Sequence, residues 1–246
     1  MDIKIQAFES LDSTNNYLKK LAAAGAPEGT VIVADEQTAG RGRMGHSFCS
    51  APGVGIYMSI LMRPQGHSLD CTTSITAMSA VAVCRAIERV CGVSAGIKWI
   101  NDVYLRGKKI CGILCESATK DDLVSYVISG IGVNVSNKES DFPEEIRSVA
   151  GSIYTQTGIV YKRSLLIAAI ADEFNKLYLR WLEGPTSCLE EYRRRCIILG
   201  RSITLTSPEG DFEAVAENIS ADYGLVLRLP DGSTRTVHSG EVRIKM

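Results

Sequence analysis

Histidine is scarce in this chain, long apolar runs are missing, and no two cysteines are spaced as C-x-x-C. The three histidines, His46, His67 and His238, lie far apart in sequence, so a dedicated protein metal site is not expected. The eight cysteines sit mostly in apolar patterns, as buried free thiols do. Reduced thiols in a cytoplasmic setting are the expectation. No apolar stretch approaches the roughly 18 residues of a membrane helix. The start, Met1-Asp2-Ile3-Lys4-Ile5, alternates polar and apolar and lacks the apolar core of a signal peptide. No membrane association is therefore expected. There is no G-x-S-x-G nucleophile motif. Neither sign of charge dominates: 27 basic and 28 acidic residues give a net −1, which offers nucleic acid no global basic field.

What is present is an ordinary globular composition, 45 % hydrophobic and 22 % charged, in 246 residues. That length has room for one large or two modest domains. The most unusual stretch is Gln37-Thr38-Ala39-Gly40-Arg41-Gly42-Arg43-Met44-Gly45-His46-Ser47-Phe48. Glycine lets backbone approach a ligand closely, and arginine brings a fixed charge and a fork of donors. With no apolar side chain between Thr38 and Arg43 beyond Ala39, the stretch predicts a flexible loop that becomes ordered around an anion. Its spacing Gly40-x-Gly42-x-x-Gly45 formally matches a dinucleotide fingerprint. That fingerprint needs a helix opening at the glycines and an acid about 20 residues on. Pro52-Gly53 breaks any such helix, and residues 56–67 contain no acid, so the dinucleotide reading is set aside.

Taken in order, the chain predicts a strand over 3–8, then a helix capped at Asp12 or Ser13 and stopped by Gly25. The polar cluster Ser13-Thr14-Asn15 reads either as a cap or as a ligand contact at a helix N-terminus. Strands follow over 30–36 and 54–62, then a core helix over 72–91. Residues 96–105 and 108–116 read as a hairpin turning at Arg106-Gly107. If Leu105 pairs with Lys108, Tyr104 faces Lys109 and Asp102 lies diagonally within reach of a salt bridge. Those polar groups read either as an outward sheet face or as a carboxylate orienting a lysine. A strand over 124–135 carries Gly130-Ile131-Gly132-Val133-Asn134, where glycine suggests close approach by a ligand or backbone. Residues 136–150 are polar and irregular. Helices are predicted over 163–182 and 187–196. Beyond Gly200, five short alternating runs at 202–206, 211–218, 225–229, 234–238 and 242–245 predict a small β-barrel. Turn signals such as Pro208-Glu209-Gly210 separate them, and a domain boundary is expected near residue 199.

Five motifs in this order resemble the biotin protein ligases along nearly the whole chain: Asp12-Ser13-Thr14-Asn15, Gln37 to Arg43, Lys98-Trp99-Ile100-Asn101-Asp102, Lys109-Ile110-Cys111-Gly112-Ile113-Leu114, and Gly130 to Asn134. The resemblance implies an α+β fold. Its catalytic domain, residues 1–198, would hold a mixed, mostly antiparallel sheet with packed helices, like class II synthetases. Residues 199–246 would form an SH3-like β-barrel. It implies ATP-dependent formation of biotinyl-5′-AMP and transfer of the biotinyl group to one lysine of a biotin carboxyl carrier protein or carboxylase biotinyl domain. Magnesium would come with ATP rather than on a protein site. Biotin would be held by Ser13, Thr14, Asn15, Gln37, Gly40, Arg41, Gly42, Arg43, Lys109 and Gly112. ATP would be held by Arg43, Phe48, Lys98, Asn101, Asp102 and Asn134. Arg43 and Lys109 would be catalytic.

The residue types agree with that chemistry. A carboxylate must attack a phosphate, and fixed positive charge offsets the repulsion between the two anions. Three positions depart from the family pattern: His46 and Phe48 stand where an arginine and a tryptophan are usual, and Ile100 where proline is common. Because the biotin motif begins at Ser13, no DNA-binding domain and no repressor function are expected. A homodimer is compatible with the resemblance. The competing readings are a lipoate- or octanoyl-type acyl ligase or transferase on the same scaffold, and a non-catalytic ligand sensor.

Overall fold

The computed structural model describes residues 1–207 and 210–244. In chain order the elements are β1 (Lys4–Leu11), α1 (Thr14–Ala23), β2 (Thr30–Gln37), β3 (Gly55–Met62), α2 (Cys71–Cys91), β4 (Gly96–Lys98), β5 (Asp102–Leu105), β6 (Lys108–Lys120) and β7 (Leu123–Asn134). Next come α3 (Ile153–Thr157), α4 (Arg163–Glu183) and α5 (Leu189–Arg195). The chain ends with β8 (Ser202–Ser207), β9 (Gly210–Ile219), β10 (Leu225–Arg228), β11 (Thr234–Val237) and β12 (Glu241–Ile244). A seven-stranded mixed sheet runs β1-β2-β3-β7-β6-β5-β4, and a five-stranded sheet runs β11-β10-β9-β8-β12. Only β1–β2 is parallel; the other pairings of both sheets are antiparallel. The fold is therefore α+β, with helices packed on the large sheet. Among the described residues, no helix is long and apolar enough to cross a membrane.

β3 shows how strand alternation assigns the two sheet faces. Every residue of it is buried. Ile56, Met58, Ile60 and Met62 join the large core with α2 and α4, whereas Leu61 packs with Leu18 and Ala22 of α1. Ser59, of the same parity as Leu61, is thereby carried beside the start of α1, where it bonds Thr14 and Asn15. α2 is buried nearly all round, so its hydroxyls bond within the helix: Ser74 to the Cys71 carbonyl, Thr76 to Thr72 and Ser79 to Ile75. Gly92 ends it in the left-handed region, donating to the Glu88 carbonyl.

The single strand expected over 96–105 is two. β4 and β5 pair with each other, Lys98 opposite Asp102, and the chain reverses at Trp99-Ile100-Asn101. The peptide bond between Trp99 and Ile100 is cis. Contacts from distant segments hold this turn. The Trp99 indole donates to the Tyr223 carbonyl at 2.9 Å, and the Tyr192 hydroxyl donates to the Ile100 carbonyl at 3.2 Å. Local alternation cannot register such partners. The short helix α3 was also not expected; five residues are too few to show a helical period, and a Ser152/Thr155 capping box starts it. Part of the expected turn at 208–210, and the Lys245 end of the last strand, lie outside the described residues.

Trp99→Phe removes the indole N–H and leaves the Tyr223 carbonyl without its buried donor. It is expected to lower the unfolding free energy by about 1–3 kcal/mol in urea denaturation. An unchanged midpoint would show that this carbonyl is satisfied otherwise.

Candidate active site

A cavity of about 710 Å³ opens beside the large sheet, a size suited to small-molecule ligands. Five arginines and lysines line it against three acids, although the chain as a whole is nearly neutral. Its walls come from the start of α1, the loop after β2, the β4–β5 turn, strands β6 and β7, the segment after β7, and β12.

The floor is made of glycine. On β6 and β7, Gly112 pairs with Gly132 and Leu114 with Gly130. A Cβ on Gly130 would stand 2.3 Å from Asn15 Oδ1, and one on Gly132 would stand 2.6 Å from the Phe48 ring. At Gly112 a Cβ would meet only ordinary contact, 3.4 Å from that ring. The Phe48 ring thus lies over the floor, edge-on to Tyr57 at 6.3 Å between centroids.

One wall is a polar chain. Ser13 caps α1 by accepting from the Asn16 amide, while Thr14 and Asn15 are buried at 3 % and 4 % exposure. The cap is made by Ser13, and Ser13, Thr14 and Asn15 all line the cavity. Gln37 Oε1 accepts from the Thr14 amide at 2.9 Å and its hydroxyl at 3.1 Å. Gln37 Nε2 donates to Ser50 Oγ at 2.9 Å. Asn15 Nδ2 donates to Glu116 Oε2 at 2.8 Å and to the Leu114 carbonyl at 3.2 Å, and its Oδ1 accepts from Ser59 at 2.6 Å.

The glycine-arginine loop folds as a short hairpin on its own backbone. Gly42 donates to the His46 carbonyl at 2.7 Å, and Phe48 to the Gly40 carbonyl at 3.0 Å. Arg41 bridges to Ser47, and Met44 takes a positive φ of 51°. The expectation for this loop counted side chains and not these backbone bonds. Arg43 donates to Asn101 Oδ1 at 2.9 Å and makes no ion pair among the described residues. Arg41 instead turns to Asn16 and Glu116, the latter at 3.1 Å. Gly40 does not line the cavity; a Cβ there would lie 2.4 Å from the Phe48 carbonyl, so it serves the loop's closure. His46 reaches across to Glu241 of β12 at 3.0 Å.

The expected register of β5 and β6 holds. Leu105 pairs with Lys108, Tyr104 with Lys109, and Lys109 Nζ stands 2.7 Å from Asp102 Oδ1. The approach is close but off-axis, so Asp102 Oδ1 keeps no directed hydrogen bond. Asn101 completes the group, with Nδ2 on the Ile113 carbonyl at 3.0 Å and Oδ1 on Arg43. Arg43 and Lys109 are thus fixed through two adjacent residues. The Lys98 ammonium lies 5.7 Å from the Tyr104 ring centre. Burial lowers its pKa, opposed by the nearby Asp102. Burial also raises the Tyr104 phenol to about 12. Asn134 donates to the Gly151 carbonyl at 2.9 Å, while its Oδ1 is buried without a partner among the described residues.

Several lining residues were not expected. Met44, Phe142, Ile146 and Val149 give apolar walls, and Gly240 to Arg243 come from β12 and the residue before it. The segment around Val149 is stitched to Lys109 itself: the Lys109 amide donates to the Val149 carbonyl at 2.8 Å, and Gly151 donates to the Lys109 carbonyl at 2.9 Å. Ile146-x-x-Val149 inside a polar stretch was the only signal. β12 gave none, because which strand meets the cavity depends on how the two sheets pack. Among the described residues, no group of three or more His, Cys, Asp or Glu is placed to hold a metal ion.

Residues 7–134 match the Biotin/lipoate A/B protein ligase family, and residues 198–244 match the Biotin protein ligase C terminal domain. The chain belongs to the Biotin/lipoate A/B protein ligase family. Within it, several similar proteins bear the name of biotin ligases. The Bifunctional ligase/repressor BirA of Bacillus subtilis is 35 % identical over 235 residues, covering 95 % of this chain and 72 % of that protein. The Biotin--[acetyl-CoA-carboxylase] ligase of Mycobacterium tuberculosis is 29 % identical, covering 94 % of this chain and 85 % of that one. Among solved structures, the biotin protein ligase from Aquifex aeolicus in complex with biotin and ATP is 27 % identical, with a TM-score of 0.83 over 98 % of both chains.

The glycine floor generates a graded expectation. Gly130→Ala should overpack against Asn15 and cost about 1–3 kcal/mol, whereas Gly112→Ala should stay within about 1 kcal/mol. Denaturation midpoints of the two variants check this, and equal losses would contradict it.

Proposed function

We propose that this cavity brings the carboxylate of biotin against the α-phosphate of ATP, on the strength of Arg43 and Lys109 entering it from separate elements. The chain is a biotin protein ligase. It activates biotin with ATP and transfers it to protein. In the first step the biotin carboxylate oxygen bonds the α-phosphorus, pyrophosphate leaves, and biotinyl-5′-AMP remains. In the second step a lysine amine of a carrier protein attacks the acyl carbon and AMP leaves.

Both first-step substrates are anions, and the transition state carries their combined charge. Arg43 and Lys109 supply positive charge that is already in place, so little reorganisation is needed when the substrates arrive. Thr14, Asn15, Gln37 and Ser13, with the Gly112 floor, would hold the ring of biotin, and Gly42 would let the loop come close. Lys98, Asn101, Asp102 and Asn134 would serve the nucleotide, whose base would rest against the apolar side chains of Met44, Ile146 and Val149. Phe48, on the floor between the two groups, would cover the reacting atoms, and the 40–48 hairpin would keep water from the acyl-adenylate.

Magnesium belongs to the proposal as a companion of ATP. Among the described cavity-lining residues, two buried side-chain oxygens stand without a hydrogen bond. Asn134 Oδ1 has no partner among the described residues, and Asp102 Oδ1 is already ion-paired with Lys109. Such a set is too sparse for a protein-held octahedral ion, so the metal would ride on the phosphates and neutralise part of their charge. A biotin carboxyl carrier protein or carboxylase biotinyl domain is the acceptor in this reading, in a cytoplasmic setting.

Arg43→Ala and Lys109→Ala should each slow biotin-dependent pyrophosphate release about 10- to 100-fold, since a hydrogen bond to a charged group is worth about 1.5–3 kcal/mol. Rates matching the unsubstituted protein in both variants would remove their assigned role. Faster adenylate formation with lipoate than with biotin would instead favour the lipoate reading.

A further inference from the structure

Behind the polar wall of the cavity stands a carboxylate that does not line it. Glu116 lies on β6, on the same face as Gly112 and Leu114, and its side chain is only 16 % exposed. Three residues converge on it. Lys19 Nζ is 2.5 Å from Oε1, Arg41 Nη1 is 3.1 Å from Oε1, and Asn15 Nδ2 donates to Oε2 at 2.8 Å. Burial alone would raise its pKa, but the bonds from Lys19 and Asn15 and the charges of Lys19 and Arg41 outweigh that and hold it below the usual glutamate value.

A carboxylate in that place decides the orientation of Asn15. Ionised Glu116 and the Leu114 carbonyl have no proton to give, so the amide nitrogen must face them and the oxygen must face Ser59. Leu114, at 3.2 Å, is the weaker anchor of the two. The donor order along the wall then runs one way. Ser59 shares its one hydroxyl hydrogen between Asn15 Oδ1 at 2.6 Å and Thr14 Oγ1 at 2.8 Å, Thr14 donates to Gln37, and Gln37 donates to Ser50. Both hydrogens of Asn15 Nδ2 are spent, so Asn15 meets a ligand only as an acceptor at Oδ1. An acceptor there suits an N–H donor, such as those of a cyclic urea.

We propose that Glu116 is a positioning residue for the biotin end of the site: it locks the Asn15 amide with its oxygen available to the ligand and parks Arg41 at the edge of the loop. The inference rests on the biotin reading above. An amide at position 116 offers both a donor and an acceptor, so it can pair with either orientation of Asn15. Lys19 is the internal control. It contacts the same carboxylate but not Asn15, and it does not line the cavity.

The test uses the full chain, with calorimetric titration of biotin and steady-state pyrophosphate release, at a pH where Glu116 is ionised. Glu116→Gln should weaken biotin binding about tenfold or more, with KM for ATP unchanged and kcat within about threefold. Lys19→Met should leave biotin binding within about twofold. Glu116→Asp, which keeps the charge, should recover part of the lost affinity and stands in if the glutamine variant does not fold. Biotin binding equal to that of the unsubstituted protein in Glu116→Gln would overturn the proposal. So would an equal loss in Lys19→Met, which would mean that the cluster merely supports the wall. No biotin binding by the unsubstituted protein would overturn the functional reading itself, and that arm is read first.

Discussion

Lys109 meets Asp102 diagonally across the β5–β6 ladder at 2.7 Å, and the site is built around that pair. An isolated ammonium beside a cavity would wander on its long stem. The charge of one carboxylate holds it beside the cavity, and its hydrogens stay available to a second anion. Arg43 is restrained differently, by the uncharged oxygen of Asn101, so its charge is not cancelled in advance. Because Asn101 and Asp102 are neighbours in the β4–β5 turn, a single turn sets the spacing of both cations. Anything that holds this turn is therefore part of the machinery, including the Trp99 and Tyr192 bonds that reach to the C-terminal sheet and α5.

Room for ligands is made by removing side chains, not by leaving the sheet unpacked. β6 and β7 are long strands paired with each other, and their glycines fall on the cavity face at Gly112, Gly130 and Gly132. A strand interrupted by glycine loses intrinsic stability. Here the packing of α2 against the opposite face, where Ile131 and Val133 join the core, offsets that loss. The two faces of one sheet thus divide the work: one is a dry core and the other a polar, glycine-lined floor.

The loop after β2 lies where these features meet. Its backbone closes on itself, Arg43 joins the β4–β5 turn, Arg41 joins Glu116, Phe48 covers the glycines, and His46 contacts Glu241. His46, where the resemblance implies an arginine, makes its contact to β12 through Glu241. In the proposed reaction such a loop would cover the acyl-adenylate and open for the acceptor lysine.

Local chemistry was enough to predict most elements and the β5–β6 register, because alternation, caps and turn residues act over a few positions. The same reading singled out Arg43 from a loop that alternates glycine with arginine, and Lys109, Asn101, Asp102 and the strand glycines as polar or glycine residues inside strand patterns. The β4–β5 turn, the wall formed by Ile146 and Val149, the strand β12 at the cavity mouth and the convergence on Glu116 were not visible. Each depends on contacts between residues far apart in the chain, such as Asn15 with Glu116 or Trp99 with Tyr223. Residue type and spacing determined which groups could do this chemistry. Only the packing of distant segments decided which of them meet, because a hydrogen bond or ion pair forms between atoms brought within about 3 Å, whatever their separation in sequence.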